Sequence, residues 1–163
     1  MATERTVDVE WIGDFLSGEG KIVSSTSGLL PALEVTWEGR TNEGMGLSSP
    51  EELLAAAHAS CFSMQLANGL VGGGWTPVEI KTSCTVGLEV GVGIVSSKLT
   101  TRVELDGEMD DDKLREVAER AKVMCPVSRA LAGIEITLDL PDLAPPEDEV
   151  SETAGAELEA VEE

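Results

Sequence analysis

The chain has three cysteines, Cys61, Cys84 and Cys125, and one histidine, His58. His58 and Cys61 lie three positions apart in "PEELLAAAHASCFSMQLA" (Pro50 to Ala67). Such a pair could be a nucleophile with its base, half of a metal site, or buried filler. A structural zinc site wants four Cys/His ligands at close spacing, and the chain has neither a CxxC nor a second histidine, so the metal reading is poor. On a helix the two residues share a face, as a thiol hydrolase using a Cys–His pair would need. That helix reads as buried, so a packed, hydrogen-bonded histidine is the expectation for His58. Taken alone, Cys61 stays open between a nucleophile and a small hydrophobe.

Cys125 sits in "KVMCPVSRALAG". Pro126 suits a first helical position, which puts Cys125 at or beside an N-cap. Unpaired backbone N–H groups and the positive end of the helix dipole would favour its thiolate. Cap positions prefer Ser, Thr, Asp and Asn, so a cysteine there calls for a reason. Cys84, in "KTSCTVGL", has no basic neighbour in sequence and reads as core. Glu51 opens the Cys61 helix ten residues earlier, about 15 Å along the axis, so the two cannot touch within one helix. A carboxylate beside a thiolate would also raise its pKa. A cation between them would solve both problems, and Arg40 is the nearest candidate.

The elements that must position these groups follow from pattern. "TVDVEWIG" (Thr6 to Gly13), "GKIVSSTSG" and "ALEVTWEG" (Ala32 to Gly39) read as strands, and "GRTNEGMGLS" as a loop. Ser49 as N-cap, Pro50 at the first position and Glu52 three after the cap predict a helix from there to about Leu70, stopped by "VGGGW". It is apolar nearly all round and belongs at the centre of a structure. Strands over Val78 to Val90 and Ile94 to Leu105 follow. Next comes an amphipathic helix from Asp110 to Met124, with Leu114, Val117, Ala118 and Ala121 on one stripe. A short helix from Pro126 to Ala132 leads into a last strand, "IEITLDL". The order β-β-β-α-β-β-α-α-β suggests an α+β fold.

The 163 residues suit one domain with a tail. Residues 1–142 are expected to form the domain. From 143 to 163 the chain has no Lys or Arg and eight acidic side chains, and it reads as a disordered tail. The net charge of −20 argues against nucleic acid and anionic membranes as partners. At 42% hydrophobic and only 3% aromatic, the core must be mostly aliphatic. No apolar run approaches a bilayer span, and the charged, alternating "MATERTVDVEW" does not read as a signal peptide, so the expected location is cytoplasmic.

Together, "SSPEELLAAAHASCFSMQLA" and "CPVSRALAGIEITLDL", with the N-terminal "VEWIGDFLSGEGKIVSSTSG", resemble the osmotically inducible protein C and organic hydroperoxide resistance family, and "AAHASCFSM" resembles its OsmC branch. The resemblance covers roughly Thr3 to Leu140. It implies an intertwined homodimer, with antiparallel sheets wrapped around long central helices and active sites at the subunit interface. It also implies a thiol-dependent peroxidase without metal, haem or other cofactor, acting on organic hydroperoxides and on hydrogen peroxide. Cys61 then matches the peroxidatic cysteine and Cys125 the resolving cysteine. Glu51 matches the carboxylate that orients a catalytic arginine. In part of the family that arginine lies at a position corresponding to Thr36. Arg40 is the candidate here, with Arg129 and Arg102 as fallbacks. An external dithiol, such as a lipoyl-bearing protein, would be the reductant. Met45, Leu47, Phe62 and Met64 are candidate lining of the peroxide pocket. Two other readings stand beside this one: a redox-inactive stress-related binding protein of the same fold, and the His58–Cys61 hydrolase.

Overall fold

The computed structural model describes residues 2–30, 32–42 and 46–143. These described residues fold into two three-stranded sheets and four helices. The first sheet holds β1 (Val7–Ile12), β2 (Glu19–Ser25) and β3 (Glu34–Thr36), antiparallel throughout in the order β1-β2-β3. A short helix α1 (Trp37–Thr41) and the long helix α2 (Pro50–Gly72) come next. The second sheet is a hairpin of β4 (Thr76–Glu89) and β5 (Gly93–Asp106). Helices α3 (Asp111–Met124) and α4 (Pro126–Ala130) then return the chain to β6 (Glu135–Asp139), which pairs parallel with β5.

The predicted strand over Ala32 to Gly39 is half right. Only Glu34–Thr36 pairs with β2, because the Thr36 hydroxyl accepts from the Gly39 amide at 2.9 Å and caps α1. The backbone thus turns helical at Trp37, and α1 carries Arg40 where a loop was expected. The cap of α2 is as read: the Ser49 hydroxyl accepts from the Glu52 amide at 3.2 Å, with Pro50 in the first turn. At the other end the Gly73 amide bonds back to Gly69 and Leu70. A Cβ on Gly73 would sit 2.2 Å from the Trp75 ring, so only glycine lets that indole fold over the helix end.

The core lies between α2, α3 and the inner face of the second sheet. Phe62, Leu66 and Leu70, spaced by one helical turn on α2, meet Leu99, Leu114, Ala118, Ala121 and Cys125. Packing in this chain therefore covers one stripe of α2. Ala56, Ala57, Ser60, Met64 and Val71 on its remaining faces are exposed, so the central position expected of the helix is only half met within one copy. The first sheet makes no extensive contact with this core. Every residue of β1 is exposed, among them Val9 at 57% and Ile12 at 69%. At the C-terminus, the Leu143 amide bonds to Leu140 and its side chain reaches the core, while the acidic segment from 144 onward lies outside the described residues. Among the described residues no helix is long and apolar enough to cross a membrane.

Candidate active site

Two half-sites lie along α2, one at its N-terminal turn and one three turns further in. The inner one joins Cys61 and Cys125. Pro126 disfavours helical backbone at the residue before it, so α3 stops at Cys125, which is extended at φ −62° and ψ 123°. Cys125 thus caps both helices: its amide donates to the Ala121 carbonyl and its carbonyl accepts from the Arg129 amide. Its side chain is fully buried, and the half-buried Cys61 packs against the same cluster.

The two thiols are shifted in opposite directions. Burial alone would push Cys125 up. The Ser128 amide and hydroxyl, the Cys61 thiol and the Val127 amide outweigh it, so the Cys125 pKa falls below the ordinary thiol range. No cap bond of standard geometry forms at its sulfur. The effect is that of several donors grouped at a helix start. Cys61 goes the other way. Burial raises it first and the Cys125 thiol adds to this, while the Val127 amide offsets part. Within a single chain the thiolate is therefore favoured more on Cys125 than on Cys61, and the groups that shift Cys61 include no cation.

The outer half-site holds a cation. Arg40 reaches from α1 to Glu51 in the first turn of α2 and binds it through two nitrogens: Nη2 to Oε1 at 2.6 Å, and Nε to both oxygens at 3.0 and 3.2 Å. The Glu51 side chain is 11% exposed and the Arg40 side chain 30%, so the pair is partly desolvated, with the guanidinium open on one side. A cavity of about 600 Å³ opens there, with Leu47, Glu51, Ala55, Cys84 and Leu88 in its wall. A second, almost wholly apolar pocket of about 200 Å³ lies beside Arg40, between Trp11, Phe15, Val35, Trp37 and Pro50. The Phe15 and Trp37 rings meet within it at a centroid distance of 4.6 Å, inclined by 46° to each other.

His58 belongs to neither half-site directly. It is fully buried, with Nδ1 2.7 Å from Ser97 Oγ and Nε2 2.8 Å from Ser128 Oγ, and burial lowers its pKa. Cys84 Sγ lies 3.9 Å from Nδ1 and 3.3 Å from Ser97 Oγ, so His58 is a packed histidine bonded to two serines and touched by a thiol.

A profile of the family described as OsmC-like protein matches residues 42–139. The peroxiredoxin OsmC of Escherichia coli is 37% identical over 142 residues, which are 85% of this chain and 96% of that protein. The chain belongs to the OsmC-like family. Solved structures agree on the OsmC-like fold. An organic hydroperoxide resistance protein from Elizabethkingia anophelis, with thiocyanate bound, superposes with a TM-score of 0.62 at 24% identity, over 86% of this chain and 99% of its own. A putative one from Vibrio cholerae, with captopril in one of its active sites, gives 0.65 at 21%, over 89% and 97%.

Among the residues singled out from the sequence of this OsmC-like chain, the structure brings Cys61 to Cys125 and Arg40 to Glu51, but not one pair to the other. Of the fallback arginines, Arg102 pairs with Asp142 on the surface and Arg129 is exposed. Leu47 lines the Arg40 cavity. Phe62 does not: it is fully buried in the core, because it follows His58 by one turn on the inward stripe of α2. Met64 points the other way and is 68% exposed. Met45 lies outside the described residues. Sequence reasoning missed Trp11, Phe15 and Trp37 beside Arg40. Their scarcity was the available signal, since only five aromatic residues serve the whole chain and three of them meet here.

Proposed function

We propose that this chain is a cysteine-based peroxidase that reduces organic hydroperoxides, and hydrogen peroxide as well, in defence against oxidative and osmotic stress. The contact between Cys61 and a Cys125 held at a helix start carries the reading. The Cys61 thiolate attacks the peroxide O–O bond, the alcohol leaves, and Cys61 becomes a sulfenic acid. Cys125 then attacks the Cys61 sulfur, water leaves, and a Cys61–Cys125 disulfide remains for an external dithiol to reduce. A lipoylated protein suits that last role, being a membrane-free dithiol carrier.

Arg40 supplies the charge that Cys61 lacks, from a second copy of the chain. Several features support this. The half-sites are about 15 Å apart along one helix. Small residues stand exposed on α2, and β1 is uncovered on both faces although it carries Val7, Val9, Trp11 and Ile12. An intertwined homodimer, with each first sheet laid on the partner and the two α2 helices at the centre, would cover both surfaces and place Arg40 and Glu51 beside the partner's thiols. The guanidinium would then lower the Cys61 pKa and steady charge developing on the peroxide oxygens. The aromatic pocket beside Arg40 suits an apolar peroxide tail.

A redox-inactive binding protein of the same fold is the second reading, and the raised Cys61 pKa within one chain favours it. Intact mass after one equivalent of cumene hydroperoxide separates the two. The peroxidase loses two thiols per chain, and its Cys125→Ser variant traps a sulfenic acid. Retention of all three thiols in both proteins would leave the binding reading.

A further inference from the structure

Cys84 is the thiol that the proposed cycle does not use, and it is the one that a single chain brings to Arg40. It lies on β4, half-buried and packed against the core cluster. It also lines the cavity of about 600 Å³ that Arg40, Glu51, Ala55 and Leu88 wall. Among the described residues, neither Cys61 nor Cys125 lines that cavity. Beside Cys84 stand a hydroxyl and an imidazole. Its sulfur lies 3.3 Å from Ser97 Oγ and 3.9 Å from His58 Nδ1, and Ser97 Oγ lies 2.7 Å from the same Nδ1. On the other side of the ring, Nε2 lies 2.8 Å from Ser128 Oγ, which orients the imidazole. His58 and Ser97 are 0% and 1% exposed. Two such polar side chains in an aliphatic core are costly unless each is hydrogen-bonded, and a cysteine that merely filled space would need neither. A thiol, an oriented base within reach and a cavity are together the parts of a nucleophile.

We infer that Cys84 is a second peroxide-reactive thiol, with His58 as its base and the Ser97 hydroxyl between them. The inference rests on hydroperoxide binding at Arg40, as proposed above. At rest the network is neutral, since burial holds Cys84 as a thiol and disfavours charge on the imidazole. Sulfur is the weakest acceptor in it, so the hydrogens run away from sulfur. Cys84 S–H points to Ser97 Oγ, Ser97 O–H to His58 Nδ1, and His58 Nε2–H to Ser128 Oγ. In the attack, the proton on sulfur passes to Ser97 and the serine's own proton passes to Nδ1. The sulfur takes the terminal oxygen of the hydroperoxide: the S–O bond forms, the O–O bond breaks, and two electrons move from sulfur to peroxide. The alkoxide takes the proton back from His58 through Ser97 and leaves as the alcohol, and Cys84 becomes a sulfenic acid. An external dithiol returns it to the thiol, with water released. Cys61, ionised by Arg40 in the proposed dimer, consumes the first equivalent of peroxide, and Cys84 takes the excess.

The test uses the full chain with Cys61→Ser and Cys125→Ser, in which Cys84 is the remaining thiol. It is mixed with excess cumene hydroperoxide and dimedone, which traps sulfenic acid, and followed by intact mass and peptide mapping. Labelling of Cys84 should run about tenfold or more faster in the folded chain than in the same chain unfolded in urea, the size expected for a positioned base. A thiol that only fills space is slower folded than unfolded, and that order overturns the inference. Ser97→Ala and His58→Gln should each lose most of the folded chain's advantage, whereas Ser97→Thr, which keeps the hydroxyl, should retain it. Equal rates in Ser97→Ala and Ser97→Thr overturn the proton path. If these variants do not fold, the unmodified chain decides. His58 is its only histidine, so nitrogen NMR reads the ring directly, with the proton expected on Nε2. A proton on Nδ1 at rest overturns the path. The peroxidase reading is judged apart, in wild type, where one equivalent of peroxide takes Cys61 and Cys125 whatever Cys84 does.

Discussion

At the scale of the residue, the two cysteines are tuned against each other. Cys125 raises Cys61 both by hydrogen bonding and by charge. Replacing it removes both influences. In Cys125→Ser, therefore, the midpoint for alkylation of Cys61 by iodoacetamide should move to lower pH than in wild type. The sign is fixed by the thiolate being the reactive form: any change that ceases to penalise it lets it appear at lower pH. A midpoint that stays or rises would mean that the two sulfurs do not sense each other. Cys125 could be placed from the sequence, since the proline after it marks a helix start and a cap. The bonds of His58 could not. Its partners lie 26, 39 and 70 positions away, on two strands and a helix that meet only after the second sheet closes. Local pattern carries no trace of such pairs.

At the scale of the element, α2 ties the fold to the chemistry. Its N-terminal turn presents Glu51, and Arg40 can reach that carboxylate only if the turn is well formed. Ser49→Ala should cost about 1 kcal/mol in urea unfolding through loss of the cap. It should also lower peroxidase turnover, since the turn that holds Glu51 would fray. A stability loss without any loss of turnover would separate the cap from the site. The helix itself was legible from its cap, its proline and its closing glycines. Its neighbour α1 was not, because "EVTWEG" alternates like a strand. The Thr36 hydroxyl decides for a helix by satisfying the Gly39 amide, a choice between two local hydrogen-bond patterns that hydropathy does not register. That single turn is what moves Arg40 from a loop onto a rigid support facing Glu51.

At the scale of the whole molecule, a site divided between copies predicts complementation. Arg40→Ala and Cys61→Ser chains, each inactive alone, should regain activity when coexpressed. In a mixed dimer the intact Arg40 of one chain faces the intact Cys61 of the other. With random pairing, half the dimers are mixed and each has one working site, so about a quarter of wild-type activity is expected. Activity no higher than that of the separate variants would place Arg40 and Cys61 in the same copy. The α+β order of elements was readable from the sequence because each element carries its own periodicity. The separateness of the first sheet was not, since nothing in an alternating strand says which chain will cover it.

The position of Cys125 at the joint of two helices has one more consequence, and it is mechanical. In the proposed cycle the disulfide would staple the middle of α2 to the corner between α3 and α4, closing a loop of roughly sixty residues, which is worth about 4 kcal/mol through the restricted unfolded chain. The oxidised protein should therefore melt at a higher temperature than the reduced one. A thermal scan taken before and after exposure to peroxide, without any reporter dye on sulfur, would then register how much of the population has met its substrate.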